Sequence, residues 1–524
     1  MLRKIISSVL ICSAFALTAF GAEISEITEK WSETKPSYFG MEQYEEKPSA
    51  GDEWKAGKLK TGFVEDGLNY LNFCRFVAGL PELEYIDEKS EKMQMASIIY
   101  SYDVYNDGES VPAGMSEAFY NEAYEEYSAS NKAFGFEVLD KAVAGMINDR
   151  GAQSRYTPNR AKLLMPHGGG VTFGFYGGYT TALITPAADD FMYDFLAWPV
   201  NSNFPIQLMS DNLPWTVKLN SEYYAIPENA EITVILENVS PEISITITKE
   251  NEYSFFEGSS AFLDVDRENN TIIFKPSHGD LKPLIKDKAK IRVKVFGITT
   301  AEGEETSLQY VVNLFDLDTA VLERYSDYGE IAAHQAKSVA DLSASGVFKG
   351  YPDGTLRPHD TITRAEFTAS LLRYMNIDPY VDPEQPFSDV PEEHWARGYI
   401  DKAFEIGAVN GTDPGVFSPE EPVTVEQAMK IVTVVKGFTE KVDIEASGGY
   451  PFAYFNLGYE LRLLDNVEEE DLERPLTRSD VACIFDNASD IIKIWTEPYY
   501  DTTIVWHRDR SGKGYGYYSL VKFK

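Results

Sequence analysis

Cysteine is nearly absent: the chain has three in 524 residues, Cys12, Cys74 and Cys483. Cys12 lies in the apolar opening stretch and the other two fall in segments of unlike pattern, which argues against a disulfide framework or a zinc-finger spacing. Histidine is scarce too, with six scattered along the chain, so no metal and no cofactor is expected. Positive charge is outweighed, 47 Lys and Arg against 83 Asp and Glu, for a formal charge of −36. Nucleic-acid binding needs clustered cations on the phosphates, and this balance argues against it. Simple adsorption to anionic lipid is disfavoured for the same reason. After the first twenty residues no run reaches the ~18 apolar residues of a membrane-spanning helix.

What is there begins with "MLRKIISSVLICSAFALTAFGA". Arg3 and Lys4, an apolar run from Ile5 to Phe20, and small Ala19 and Gly21 read as a secretory signal peptide over residues 1–21. No transmembrane segment is expected once it is cleaved. Residues 22–60 are charged and aromatic and read as an extended arm. From 61 to 200 helical spacing dominates, with a run from Val64 through Leu68, Leu71 and Phe76 and further runs at about 88–105, 116–127 and 136–148, before a glycine-rich, β-branched stretch at Gly168–Thr185. From 201 to 318 apolar and polar residues alternate, as in "EITVILENV", "ISITITKE" and "AKIRVKVFGI", which predicts an all-β sandwich. Residues 496–524 read as a C-terminal β-hairpin about a glycine-rich turn.

Between 320 and 495 the text repeats itself. At one constant offset Gly346, Gly350, Gly354, Pro358 and Thr363 fall on Gly407, Gly411, Gly415, Pro419 and Thr424. Each unit is a helix, a glycine stop, a tight turn, a proline and a threonine-capped second helix. Thr363 with Glu366 makes a capping box, and Asp353-Gly354 supplies the turn. A third unit keeps Pro475 and Thr477-Arg478-Ser479-Asp480 but lacks the glycine turn.

These units resemble S-layer homology (SLH) modules, through "FSDVPEEHWA" (387–396), "GYPDGTLRP" (350–358) and "ITRAE" (362–366). The resemblance implies three modules, at 320–382, 383–440 and a degenerate one at 441–495, in a helical three-module bundle. It implies binding of secondary cell-wall polysaccharide, pyruvylated or not, or of peptidoglycan. Arg364 and Arg478 occupy the family's arginine position, where the second module has Val425, so at most two of three grooves are equipped. A guanidinium can grip a carboxylate by a paired, charge-assisted fork. The plainer alternative for each arginine is an exposed helix-start residue paired with a carboxylate. Gly354, Asp389 and Trp395 complete the candidate binding set, although Trp395 reads more simply as a core aromatic.

The front segment carries a second resemblance, to bacterial CAP (SCP-like) domains. "LNYLNFCRFVAGLPEL" (68–83), "INDRG" (147–151), "NRAKLLMP" (159–166) and "VTFGF" (171–175) carry it. It implies an α-β-α sandwich with a cleft, to which Asn72, Arg75 and Asn159 would contribute. Asn159 stands where the family has a metal-binding histidine, and asparagine is a poor ligand and no general base. No catalytic residue is therefore assigned, and the balance is against an enzyme. "HGGG" (167–170) reads as a turn because no nucleophile elbow accompanies it. "DVDRENN" (264–270) reads as a hairpin turn, since Lys275 stands where a calcium loop needs glutamate. The sequence thus describes a multidomain α+β protein exported to the bacterial surface. A displayed wall or polysaccharide hydrolase and a structural S-layer subunit are the alternatives.

Overall fold

The computed structural model describes residues 21–34, 43–51, 53–103, 110–149, 157–187, 191–209, 214–228, 231–239, 242–248, 261–277, 280, 282, 284–439, 444–445, 447–467, 471–489, 491–497, 502–507 and 517–522. The signal-peptide reading of 1–20 lies outside these. Among the described residues no helix is long and apolar enough to cross a membrane.

The arm is not wholly extended. Helix α1 (Ile24–Ser32) opens it, followed by β1 (Tyr44–Glu46) and β2 (Lys58–Leu59), which pair antiparallel. Glu23 and Glu26 close a capping box at the start of α1, and Ile27 and Trp31 lie one turn apart on one side. Ile27 is buried, and the Trp31 ring sits 5.0 Å from that of Phe73. The apolar stripe was masked in the sequence by the charges between its members.

The front region runs α2 (Thr61–Val77), β3 (Glu84–Tyr85), α3 (Ser90–Asp103), α4 (Glu117–Ala129), β4 (Asn131–Phe134), α5 (Leu139–Ile147), α6 (Pro158–Leu163), β5 (Gly168–Tyr176) and β6 (Tyr179–Pro186). All four predicted helical runs are present. The strands form one sheet, ordered β3-β5-β6-β4, in which only β3 lies parallel to its neighbour. Alternation along β5 assigns its faces. Phe173 and Phe175 meet α2, whose Gly67 leaves room for Leu139 and Phe173, while Gly174 accommodates the backbone of Met93 in α3. The glycines of "HGGG" are strand residues and not a turn, because Leu83, Ile86 and Ala187 press on them where a Cβ would stand.

The β-region comprises β7 (Phe195–Trp198), β8 (Asn203–Pro205), β9 (Trp215–Leu219), β10 (Tyr224–Ala225), β11 (Thr233–Val239), β12 (Glu242–Thr248), β13 (Phe262–Asp266), β14 (Thr271–Lys275), β15 (Lys290–Thr300) and β16 (Glu305–Phe315). One sheet is ordered β12-β11-β15-β16-β8, with β10 on β15, and the other β13-β14-β9-β7. Ile291, Val293 and Val295 face inward from β15 while Lys290, Arg292 and Lys294 do not. "DVDRENN" joins β13 to β14, as expected of a hairpin turn. Strand β7 begins before residue 201, and one continuous apolar core runs from Ile27 to Leu317. Front region and sandwich are therefore packed as one body.

The repeats build a second core, from Val321 to Ile491. Their helices are α7 (Leu317–Leu322), α8 (Ala336–Ala344), α9 (Arg364–Tyr374), α10 (Arg397–Glu405), α11 (Val425–Val435), α12 (Phe452–Glu460) and α13 (Arg478–Ser489). Trp31 of α1 packs against both cores. The expected C-terminal hairpin gains a strand: β17 (Ile491–Glu497), β18 (Thr502–His507) and β19 (Tyr517–Lys522) form an antiparallel three-stranded sheet. Its glycine-rich turn at 508–516 lies outside the described residues.

Candidate functional site

Helices α9, α11 and α13 start at equivalent points of the three repeats, and backbone hydrogen bonds join those starts in a closed cycle. The Ile362 N–H donates to the Leu476 carbonyl (3.2 Å), the Leu476 N–H to that of Val423 (2.9 Å), and the Val423 N–H to that of Ile362 (3.0 Å). Two residues on, the N–H groups of Arg364, Val425 and Arg478 donate to the carbonyls of Glu421 (2.9 Å), Arg474 (3.2 Å) and Asp360 (2.9 Å). The buried apolar side chains of Ile362, Val423 and Leu476 seal this ring. It creates three junctions, each between one repeat's helix start and the turn of another.

Each of these three helix starts is capped. The N–H of Thr363 donates to Glu366 (2.9 Å), that of Thr424 to Gln427 (3.4 Å) and that of Thr477 to Asp480 (2.9 Å), and the threonine hydroxyls accept in return. A cap of this kind contributes ~1 kcal/mol. The Glu, Gln and Asp at this position share one structural task, so their variation does not by itself grade the junctions.

The arginines do. Arg364, only 4% exposed, donates from Nε to the carbonyl of Phe417 (2.9 Å) and lies over the Phe417 ring (4.6 Å). Arg478 donates from Nε to the carbonyl of Leu356 (2.9 Å), the residue equivalent to Phe417, and from Nη2 to that of Lys349 (3.3 Å). It is flanked by the rings of Phe348 (4.7 Å) and Tyr351 (5.2 Å). Among the described residues neither arginine forms an ion pair, and the Nη atoms of Arg364 take no hydrogen-bond partner. The reading of an exposed residue paired with a carboxylate is therefore corrected: the turn carbonyl holds Nε because the arginine of one repeat is threaded beneath the turn of another. Val425 is fully buried at the third position and brings no charge.

Asp389 positions the turn instead of lying free in the groove. Its two oxygens accept the N–H groups of Phe417 (2.8 Å) and Ser418 (2.7 Å). Asp327 does the same for Leu356 (2.8 Å) and Arg357 (2.7 Å). Each aspartate thus fixes the residue whose carbonyl holds an arginine, while Ser418 and Arg357 are held at positive φ, 58° and 56°. Asp327 closes "YSD" (325–327) as Asp389 closes "FSD" (387–389), so the two aspartates are equivalent in the repeats. Gly354 has φ +81° with open space where a side chain would stand, so it is required for the turn and leaves its surroundings accessible.

Sequence reasoning missed two neighbours of Arg364. Lys430 of α11 donates to the Asn410 amide oxygen (3.1 Å), and burial, reinforced by Arg364, pushes its pKa down. Tyr450, half exposed, donates its hydroxyl to Glu426 (2.9 Å) and lies close enough to Arg364 for the two to interact electrostatically. Neither position has a counterpart in the repeat signature. Trp395 is not a core aromatic: it is 56% exposed, stacked on His394 (5.9 Å), with the Arg373 guanidinium 5.8 Å from its ring. The chain turns it outward because the adjacent Ala396 fills the core position.

The front-region residues are placed differently. Asn72 is buried and bonds both ways with the backbone of Leu83, at 3.0 and 2.8 Å. Arg75 is fully buried and donates to the carbonyls of Pro81, Leu163 and Met165, at 2.8 to 3.0 Å. Asn159 accepts weakly from the Lys132 N–H (3.4 Å), and its own N–H donates to Asp149 (2.9 Å). The first two tie loops to α2, whereas Asn159 sits against β4 and Asp149. Among the described residues no cluster of His, Cys, Asp and Glu is arranged to hold a metal. Cys74 and Cys483 are both buried, and neither is in a disulfide.

Three repeats thus meet in one ring, with an arginine at two of the three helix starts and a valine at the third. Residues 324–368 and 386–429 match the S-layer homology domain. The chain is similar to cell surface glycoprotein 1 of Acetivibrio thermocellus, 30% identical over 118 residues, which are 20% of this chain and 5% of that protein. It is similar to a cell surface protein of Thermoanaerobacter kivui, 28% identical over 163 residues, 30% of this chain and 20% of that one. It also resembles a cellulosome-anchoring protein of Acetivibrio thermocellus, 28% identical over 101 residues, 18% and 22% of the two chains. The chain therefore spans under a quarter of the length of these relatives. The repeats and these surface proteins place it at the extracellular cell surface.

Proposed function

We propose that the repeat bundle, with the degenerate third module included, anchors this protein non-covalently to cell-wall polymer. The ligand is a polysaccharide bearing carboxylates, ketal-linked pyruvate among the candidates, or else peptidoglycan. The observation that carries this reading is the pair of arginines at equivalent junctions, each held by Nε to a turn carbonyl. Arg364 keeps its Nη atoms for a ligand, with Lys430 as a second cation close by. A carboxylate entering there meets charge-assisted donors backed by an aromatic ring. Asp327, Asp389 and Gly354 hold the turns, and exposed Trp395 offers a surface on which a sugar ring can lie. The front body is displayed outward as a CAP-like α-β-α sandwich joined to the β-sandwich. What supports the sandwich reading is that α2 and α3 cover opposite faces of the β5–β6 sheet. We assign it no metal-dependent catalysis.

The experiment is co-sedimentation of the full protein with purified cell walls, before and after chemical removal of the secondary polymer, with Arg364→Ala and Arg478→Ala in parallel. Binding that falls with the polymer and weakens in both variants supports the anchor. Equal binding to stripped walls would move the ligand to peptidoglycan, and unaltered binding by both variants would sink the arginine assignment.

A further inference from the structure

A cavity of about 840 Å³ opens in the front body, and neither the repeats nor Asn72, Arg75 and Asn159 contribute to its lining. It lies between the β1–β2 segment, α2 and the N-terminal parts of α3 and α4. Val64, Met95, Phe119 and Phe173, all buried, form its apolar floor. Trp54 and Tyr85 stand in its wall, and Trp54 is fixed by the rings of Phe119 (5.3 Å) and Tyr102 (5.4 Å). Gln94 is spent on structure, donating to the Ala56 carbonyl (3.2 Å) and accepting from the Phe175 N–H (2.6 Å), which welds this wall to β5.

The charge around this floor is one-sided. Glu46, Glu65, Asp87, Glu91 and Glu122 line the cavity, and among the described residues none of them makes an ion pair. Of the two lysines at the rim, Lys55 is bound by Glu53 (2.9 Å), while Lys58 is bound by Glu45 (2.8 Å) and also offsets part of the charge of Asp87 and Glu46, so the excess of negative charge rests chiefly on Glu65, Glu91 and Glu122. Carboxylates contributed by β1, α2, α3, α4 and the turn before α3 cannot all be met by one small cation. They fit a ligand that carries several cations spaced by apolar groups, the cations to the rim and the apolar groups to the floor. Trp54 and Tyr85 add ring faces on which an ammonium or guanidinium can rest.

We propose that this cleft binds a basic, amphipathic peptide segment. The inference is independent of the anchoring function and concerns what the displayed body captures. The test uses the full chain and a fluorescein-labelled heptapeptide alternating lysine with leucine and phenylalanine, followed by fluorescence anisotropy. The triple variant Glu65→Gln, Glu91→Gln, Glu122→Gln is compared with Glu302→Gln, Glu304→Gln, Glu305→Gln, which removes equal charge from the exposed β15–β16 turn. All six are surface carboxylates, so both variants keep the fold, which thermal melting verifies. The expected result is at least tenfold weaker binding for the cleft variant and an unchanged affinity for the turn variant. Equal weakening in both would reduce the effect to bulk charge and overturn the proposal. So would equal affinity for a peptide with serine replacing leucine and phenylalanine, or competition by a glucosamine oligomer as strong as that of the unlabelled peptide.

Discussion

The front body and the repeat bundle both bury arginine at a helix, and they use it in opposite ways. Arg75 and Arg160 are surrounded by carbonyls: Arg75 reaches those of Pro81, Leu163 and Met165, and Arg160 those of Ile147 and Pro214, both at 2.7 Å. Arg364 meets a single carbonyl through Nε. The side-chain chemistry is the same, but the supply of acceptors differs. Where loops from several elements converge, the guanidinium becomes a staple. Where only one turn lies above it, the donors are left for something else.

Breaking this contrast has its largest effect in the front body. Arg75→Ala leaves three carbonyls without their donor and should cost about 3–5 kcal/mol. Urea unfolding would show it as an earlier transition, while wall binding by the remaining folded protein stays unchanged. Arg364→Ala should shift the balance, with wall affinity falling about 10- to 100-fold and stability by a smaller amount than in Arg75→Ala, about 1–3 kcal/mol, because a single buried carbonyl, that of Phe417, loses its donor. Arg364→Lys keeps the charge but loses the planar fork, and recovers only part of the affinity. A smaller loss is expected for Asp389→Asn, a few-fold, since one of its two turn N–H groups keeps an acceptor. The comparison of wall affinity with the thermal melt separates the two: Asp389→Asn should lower the melt with little loss of affinity, Arg364→Ala chiefly the affinity.

The weakest predicted effect concerns pH. Burial, opposed by Arg160 and by the N–H groups of Asn159 and Arg160, pushes the Asp149 carboxyl up to about 6. Asp353 in the repeat turn is instead held down to about 2 by bonds from Thr355 and Arg357. A raised carboxyl binds more protons folded than unfolded, so its contribution to stability declines as pH rises from about 4 to about 6. Asp149→Asn should flatten that part of the melting profile, read as the difference between variant and parent. Asp353→Asn should alter nothing in the same window.

Much of the repeat bundle was legible because its signals are local. Glycines that need positive φ, threonine caps and the prolines before them recur at fixed spacing, and each is dictated by its own few residues. The sandwich strands were legible through alternation. Helix α1 was hidden because its apolar residues sit among glutamates and lysines, and only burial against two cores reveals the stripe. The glycines of β5 misled for a related reason. A glycine required by a neighbour pressing on a strand looks, in sequence, like a glycine required by a turn. Trp395 was misjudged because an aromatic beside Ala396 can turn either way, and the packing of Ala396 decided which.

By itself, then, the sequence determined the export-like opening, the acidic balance, three repeats and the identity of Arg364, Val425 and Arg478 at their helix starts. The tertiary structure alone decided that those starts close into a ring, that each arginine is gripped by another repeat's turn, and that Lys430 and Tyr450 stand beside one of them. The physical reason is range. Capping and turn formation involve residues a few positions apart, whereas the acceptors that leave a guanidinium open or satisfied come from segments about fifty to more than a hundred residues away.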